Sequence, residues 1–363
     1  MDAFFAVSDR VKEVTAGSQV PWMKFDGSGQ IFREHRFLDA AAPAMAAMSE
    51  TERRLQRELE EARAKLAAAP GAMARPDPAG PGGFAASSPA AARLRAATKA
   101  APFVNSLGLE FVPVPGVAGV WMARTPTRVR DFEAFVNATG HDASKGAYTL
   151  EKGGWKQVGG SWRNPRFPSS AAQTPDHPVV CVSQEDARAF CQWLTKEEAG
   201  LAYRLPSDAE WSAAVGSEKY PWGNAWPPPP GAGNYAGGEA SVGAFASNNF
   251  KVLSGYRDGY ARTSPVASFE PNRFGFFDLG GNVLEWCEDL YKASMNDADA
   301  LREFPALKNE KHSDGTPYRV LRGGSWINNA EINLRSSYRD YGHPTSRNFN
   351  YGFRIVVVVG AGG

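Results

Sequence analysis

Three cysteines, Cys181, Cys191 and Cys287, are the only thiols in 363 residues, and none of them stands in a CxxC pair. That spacing excludes a dense disulfide framework and a dithiol redox motif. By pattern Cys181 sits in an apolar strand, Cys191 on the inner face of a helix and Cys287 directly after Trp286. All three read as buried core, where free cysteine behaves as a small hydrophobe. The five histidines, His35, His141, His177, His312 and His343, make no HxxxH or HxE cluster, so no redox metal centre is expected. The richest chemistry lies near the end of the chain. Residues 327–351 hold five Asn and three Tyr, with no Lys, Gln, Met, Trp or Cys. Tyrosine gives rigid contact area with a polar tip, and Asn and Ser adapt their hydrogen bonds, which is the chemistry of a recognition surface. Side chains that do not carry the fold belong on loops over a static core.

The elements that must position this segment follow from composition and caps. Lys and Arg total 40 against 39 Asp and Glu, which removes the electrostatic argument for a nucleic-acid or anionic-membrane partner. No apolar run of about 18 residues and no signal-peptide pattern occurs, so a cytoplasmic, monomeric protein is expected. Ten Trp, 37 Gly and 26 Pro predict an irregular fold held by large aromatic anchors. Residues 1–38 are too few for a core of their own. Within 39–100, Ser49 and Glu52 form a capping box for a helix over 43–69 with a seam of Leu55, Leu59, Ala62 and Leu66. An Ala/Pro/Gly-rich linker follows from 70 to 100. Residues 101–363 are the main domain. Strands are expected over 111–114, 117–122, 179–182, 319–322 and 352–359. Thr127 and Gly140 bound one helix; Ser183 with Asp186 opens a second, with Ala187, Phe190, Cys191 and Leu194 inward; Ser207 with Glu210 caps a third carrying Trp211.

Seven strings in order give a resemblance. They are His177-Pro178-Val179-Val180-Cys181-Val182-Ser183, Tyr203-Arg204-Leu205-Pro206-Ser207-Asp208-Ala209-Glu210-Trp211, Tyr220-Pro221-Trp222-Gly223, Phe274-Gly275-Phe276-Phe277-Asp278-Leu279, Gly281-Asn282-Val283-Leu284-Glu285-Trp286, Arg322-Gly323-Gly324-Ser325-Trp326 and Gly352-Phe353-Arg354. Together they resemble the formylglycine-generating-enzyme (sulfatase-modifying factor) family over about 101–359. The resemblance implies an α+β, C-type-lectin-like fold with little regular secondary structure. Those enzymes oxidise a substrate cysteine with two cysteines that bind copper(I) after the Gly-Gly-Ser-aromatic motif. The matching positions here are Asn328 and Asn333, and no Cys follows Cys287. Thiolate is the ligand that copper(I) requires, so neither copper nor iron is expected, and the chain is expected not to be an enzyme. An oxidase or other enzyme of the same fold lacking the cysteine pair is the alternative. The ergothioneine sulfoxide synthases resemble the chain in this module alone, since their iron ligands come largely from a separate helical domain.

Asn, Tyr, Ser, Asp, His, Ile and Phe are all reachable by altering only the adenines of an AAC codon. Between Arg-Gly-Gly-Ser-Trp and Gly-Phe-Arg, residues 327–351 resemble the variable region of diversity-generating-retroelement proteins, in which a lectin-like scaffold displays exchangeable residues to a protein or cell-surface ligand. The resemblance assigns the ligand-binding positions to Ile327, Asn328, Asn329, Ile332, Asn333, Tyr338, Asp340, Tyr341, His343, Ser346, Asn348, Phe349, Asn350 and Tyr351. Glu331, Leu334, Arg335, Ser336, Arg339, Arg322, Trp326 and Arg354 would be framework. It also implies calcium: one site from Asn234, Tyr235, Asp258 and Tyr260, and a second from Glu285 with the carbonyls of Gly280, Gly281 and Val283. Hard oxygen donors at turns suit Ca²⁺. The competing arrangement for Glu285 is a buried pair with an arginine such as Arg322. Residues 7–34 resemble the closing end of a caspase-like domain, whose His/Cys dyad would lie upstream.

Overall fold

Capping side chains start four helices of the main body, and the Asp186 carboxylate of one cap also ties its helix to His141 and Arg347. The computed structural model describes residues 24–25, 31–32, 88–144, 146–167, 173–293 and 309–360. Two compact units result, Met1–Pro81 and Gly82–Gly363. The first contributes an antiparallel pair, β1 (Lys24–Phe25) and β2 (Ile31–Phe32). The rest of the caspase-like stretch and the helix expected over 43–69 lie outside the described residues.

In the second unit Ser88 caps α1 (Pro89–Arg95), its Oγ accepting the Ala91 amide at 3.1 Å. This helix falls where composition predicts linker, a correction with a simple cause. Ala91 and Leu94, three residues apart on one face, are buried in the main core together with Ala97. The chain then forms β3 (Phe103–Val104), β4 (Glu110–Pro113) and β5 (Trp121–Ala123). Next comes α2 (Val129–Thr139). Its cap is Arg128 and not Thr127, with the Asp131 carboxylate accepting the Arg128 amide at 2.9 Å. Gly140, at φ 68°, ends it in the left-handed region as expected.

A hairpin of β6 (Ala147–Glu151) and β7 (Gly154–Gly160) follows. Residues 179–182 do not form the expected strand, because Cys181 takes φ 60° and breaks the extended run. Ser183 and Asp186 do cap α3 (Gln184–Glu197), and Ala187, Phe190, Cys191 and Leu194 line its buried face. β8 (Leu201–Arg204) leads to α4 (Asp208–Val215), opened by the Ser207–Glu210 box and carrying the fully buried Trp211. Residues 223–265 hold only a 3-10 turn (Gly238–Ala240) and a five-residue helix, α5 (Gly243–Ser247).

Two sheets organise the remainder, which includes β9 (Leu284–Leu290), β10 (Arg319–Arg322), β11 (Arg339–Gly342), β12 (Tyr351–Gly352) and β13 (Val356–Val359). One sheet runs β3-β4-β5-β13-β8 and the other β11-β10-β9-β12. The last strand therefore lies between two early ones, and the fold closes only when both ends of the domain are present. A mixed α+β fold with few helices is what results. Among the described residues no helix is long and apolar enough to cross a membrane. All three cysteines are buried, as expected, and burial pushes their thiols upward.

Candidate functional site

The segment 327–351 begins where β10 runs into Gly323 and Gly324, at φ 97° and 67°. A side chain on Gly324 would meet the Asn333 carbonyl at 3.0 Å, so this turn requires glycine. From there the chain makes a 3-10 turn (Glu331–Leu334), returns as β11 against β10, and reaches β12 beside β9. Arginines fasten it to the body. Asp208 holds both Arg322 (2.6 Å) and Arg339 (2.9 Å). Both Asp186 oxygens hold Arg347 at 2.7 Å. Burial raises the Asp186 carboxyl, but hydrogen bonds from Arg347, Ser183 and His141 outweigh it and leave it low. Glu331 binds Lys219 at 2.8 Å, and Arg335 lies at 3.6 Å from it. Arg322, Trp326 and Arg354 are fully buried. Of the framework residues, Arg322, Glu331, Arg335 and Arg339 make these ion pairs, while Arg347 is an anchor that the sequence did not assign.

The fourteen binding positions divide. Ile332, Tyr338, Phe349 and Asn350 are buried and are corrected to structural residues. Ile332 and Tyr338 pack on each other. Phe349 sits edge-on to Trp326, with centroids 5.1 Å apart, and stacks at 6.2 Å on Phe245. Asn350 donates to Ser325 Oγ at 3.0 Å, and Ser325 in turn donates to Asn328 Oδ1 at 2.8 Å. The other ten, Ile327, Asn328, Asn329, Asn333, Asp340, Tyr341, His343, Ser346, Asn348 and Tyr351, are half-buried. They do not all lie on loops, because Asp340 and Tyr341 belong to β11 and Tyr351 to β12.

Asp340 is the electrostatic centre of this face. Desolvation raises its carboxyl to about 6, partly offset by the Tyr341 amide, which donates to Oδ1 at 2.8 Å. Tyr338, Tyr341 and Tyr351 are all pushed up, first by burial and then by the charge of Asp340. Tyr341 also packs on Tyr318 and Tyr291, at 4.6 and 4.7 Å between centroids.

Two exposed aromatics beside the segment escaped sequence reasoning. Tyr148 of β6 is 42% exposed and Trp155 of β7 47%. The hairpin lies along the segment: the Tyr148 amide donates to the Arg347 carbonyl at 2.9 Å, the Phe349 amide to the Tyr148 carbonyl at 3.1 Å, and Trp155 meets Phe349 edge-on. The signal for the hairpin was present, with an alternating Ala147-Tyr148-Thr149-Leu150 run before Gly153-Gly154. Its docking against 346–349 had no local signal.

The calcium arrangements differ in fit. At the first, Asn234 donates from Nδ2 to the Arg262 carbonyl at 2.7 Å, while its buried Oδ1 has no hydrogen-bond partner. Asp258 accepts the amides of Tyr235 and Tyr260 at 2.8 and 2.9 Å, and burial raises its carboxyl to about 6. An orphaned buried oxygen beside a desolvated carboxylate fits a hard cation. At the second, both Glu285 oxygens bind Arg354, at 2.6 and 2.7 Å, and Oε2 also accepts Trp211 Nε1 at 2.8 Å. The set Gly280, Gly281, Val283 and Glu285 is therefore corrected: its carboxylate is already neutralised inside the core. The partner is Arg354 and not Arg322, because β10 delivers Arg322 to Asp208.

Comparison with known proteins agrees with this architecture. The model of the sulfatase-modifying factor enzyme 1-like domain matches residues 113–359. The chain belongs to that family. It is 32% identical over 254 residues to the formylglycine-generating enzyme of Thermomonospora curvata, covering 62% of this chain and 77% of that protein. It is 36% identical over 203 residues to the inactive C-alpha-formylglycine-generating enzyme 2 of Bos taurus, covering 53% and 54%. Among solved structures, Treponema denticola variable protein 1 aligns over 66% of this chain and 84% of that one, with TM-score 0.40 and 19% identity. The expectation that the chain is not an enzyme is corrected by the Thermomonospora relative, which is one. The absence of a cysteine pair at Asn328 and Asn333 describes one chemistry and does not extend to the family.

Proposed function

We propose that this sulfatase-modifying-factor domain displays a recognition surface for a protein or cell-surface ligand, diversified along 327–351 as the variable-protein resemblance implies. The observation that carries the reading is the exposure of Tyr148 and Trp155 on a hairpin hydrogen-bonded to the segment that bears Ser346 and Asn348. Large aromatics beside half-buried Asn, Ser, Asp and Tyr give rigid anchors next to adaptable polar contacts. The arginine fasteners carry the fold between the exchangeable positions, so a change at Asn329, Asn333, His343, Ser346 or Asn348 leaves the body intact. The same platform takes Ca²⁺ on Asn234 Oδ1 and Asp258, with the carbonyls of Tyr235 and Tyr260.

The test is a displayed library randomised at Asn329, Asn333, Asp340, Tyr341, His343, Ser346 and Asn348, with the buried four kept. Folded, protease-resistant variants that yield binders to immobilised proteins are expected; a library that is mostly unfolded refutes the reading. Neighbouring DNA supplies a second test, since a near-copy of the codons for 327–351 that differs only at adenines is expected. A second reading, chemistry of the family's kind on this face, is favoured by the enzyme relative. Oxygen uptake in the presence of a cysteine-containing peptide separates the two.

A further inference from the structure

We propose that His312, Asp314 and His343 form a binding site for a divalent transition-metal ion of the zinc type. His312 and Asp314 share one turn, and β10 and β11 bring the distant His343 to it. Lys311 bridges Pro317 across a tight turn, closed by the His312 amide on the Thr316 carbonyl at 2.9 Å and the Gly315 amide on the His312 carbonyl at 2.9 Å. β10 starts just after this turn, and its Arg319 pairs with Gly342, the residue before His343. Strand register alone therefore carries His343 to the turn.

The donor geometry suits one ion. His312 Nδ1 lies 3.3 Å from Asp314 Oδ1, and His343 Nε2 lies 3.3 Å from Asp314 Oδ2. The imidazole centroids are 5.1 Å apart, and one donor atom from each of the three residues lies within 4.8 Å of the others. A tetrahedral ion with bonds of about 2.0–2.1 Å holds its ligands about 3.4 Å from one another. Each histidine lies at that distance from a different Asp314 oxygen, so whichever oxygen ligates, one histidine–aspartate edge already has that length. The other histidine–aspartate edge and the histidine–histidine edge must adjust, and His312 is exposed and can turn.

His343 is held in place by its neighbours. Its Nδ1 lies 2.8 Å from Thr345 Oγ1 and accepts the Thr345 amide at 3.3 Å, so a metal on Nε2 would take the place of the proton that this amide contact leaves there. Its Nε2 is buried without a hydrogen-bond partner and faces Asp314. Two imidazole nitrogens with one carboxylate select zinc-type ions over calcium or magnesium, which take oxygen sets. Three protein ligands leave a coordination position for water or for a donor from outside. Because His343 lies on the proposed recognition face, that open position would accept a carboxylate or imidazole of a bound partner. The metal site itself rests on its own geometry and stands whether or not the recognition reading holds.

The experiment titrates Zn²⁺ into chelator-stripped full-length protein by calorimetry, with a Co²⁺ titration read by visible absorption in parallel. About one ion per chain, a Co²⁺ spectrum of low-symmetry nitrogen/oxygen type and a rise in Tm are expected. His312→Ala, His343→Ala and Asp314→Asn should each weaken binding about tenfold or more, and His312→Ala/His343→Ala should abolish the Tm rise. Stoichiometric binding that persists in the double variant overturns the assignment, as does the absence of binding in the wild type. His312→Asn keeps a polar, exposed turn residue, so its loss of binding is read without loss of fold.

Discussion

Replacing Asp340 by Asn tests how deeply the central face is desolvated. Burial raises this carboxyl from an ordinary 3.8 to about 6. A raised value means that the folded protein prefers the neutral acid. Asp340 therefore opposes folding least below its ordinary value, and its cost grows as pH climbs through the window from about 4 to about 6. Two units at 1.36 kcal/mol each give about 3 kcal/mol at full ionisation, reduced to about 2 kcal/mol because the side chain keeps some exposure. Asn has nearly the same shape and no charge. The stability of Asp340→Asn relative to wild type should therefore rise by about 2 kcal/mol between about pH 4 and about pH 7.5, measured by urea denaturation with the slope m unchanged. A difference that stays level across that range, within about 0.5 kcal/mol, would show that Asp340 is solvated and that the tyrosine-lined face is not the low-dielectric patch argued above.

The other perturbations separate scaffold from display. Phe349→Ala empties a site walled by Trp326, Phe245 and Phe167 and should cost about 3–5 kcal/mol by thermal or chemical denaturation. Ser346→Ala and Asn329→Ala should stay within about 0.5–1 kcal/mol of wild type. Arg354→Met leaves the Glu285 carboxylate buried without its cation, and a loss of about 3–5 kcal/mol or failure to fold is expected. Calcium should raise Tm in the wild type and leave Asp258→Asn unmoved; an equal rise in both would remove Asp258 from the site.

Local chemistry was legible where a few neighbouring residues decide the outcome. The Ser183–Asp186 and Ser207–Glu210 caps, the Gly140 stop, the buried cysteines and the closing Val356–Val359 strand follow from short-range rules, whereas the single strand expected over 352–359 is split at 353–355 between two sheets. The ordered motifs from His177 to Arg354 likewise sufficed to place the chain in its family. Composition failed over 88–100, where alanines that look like linker bury a helix face on a core the local sequence does not contain.

Tertiary structure alone decided which residues of the terminal segment face outward. Phe349 and Asn348 are adjacent and equally reachable by adenine mutation, yet one fills the core and the other is half-exposed, because docking of the β6–β7 hairpin determines which of them packs inward. Strand register chose Arg354 for Glu285 and Asp208 for Arg322, and it brought His343 to a turn almost thirty positions earlier in the chain. Side-chain identity sets what chemistry is available; only the long-range pairing of strands sets which groups meet and which of them water can reach.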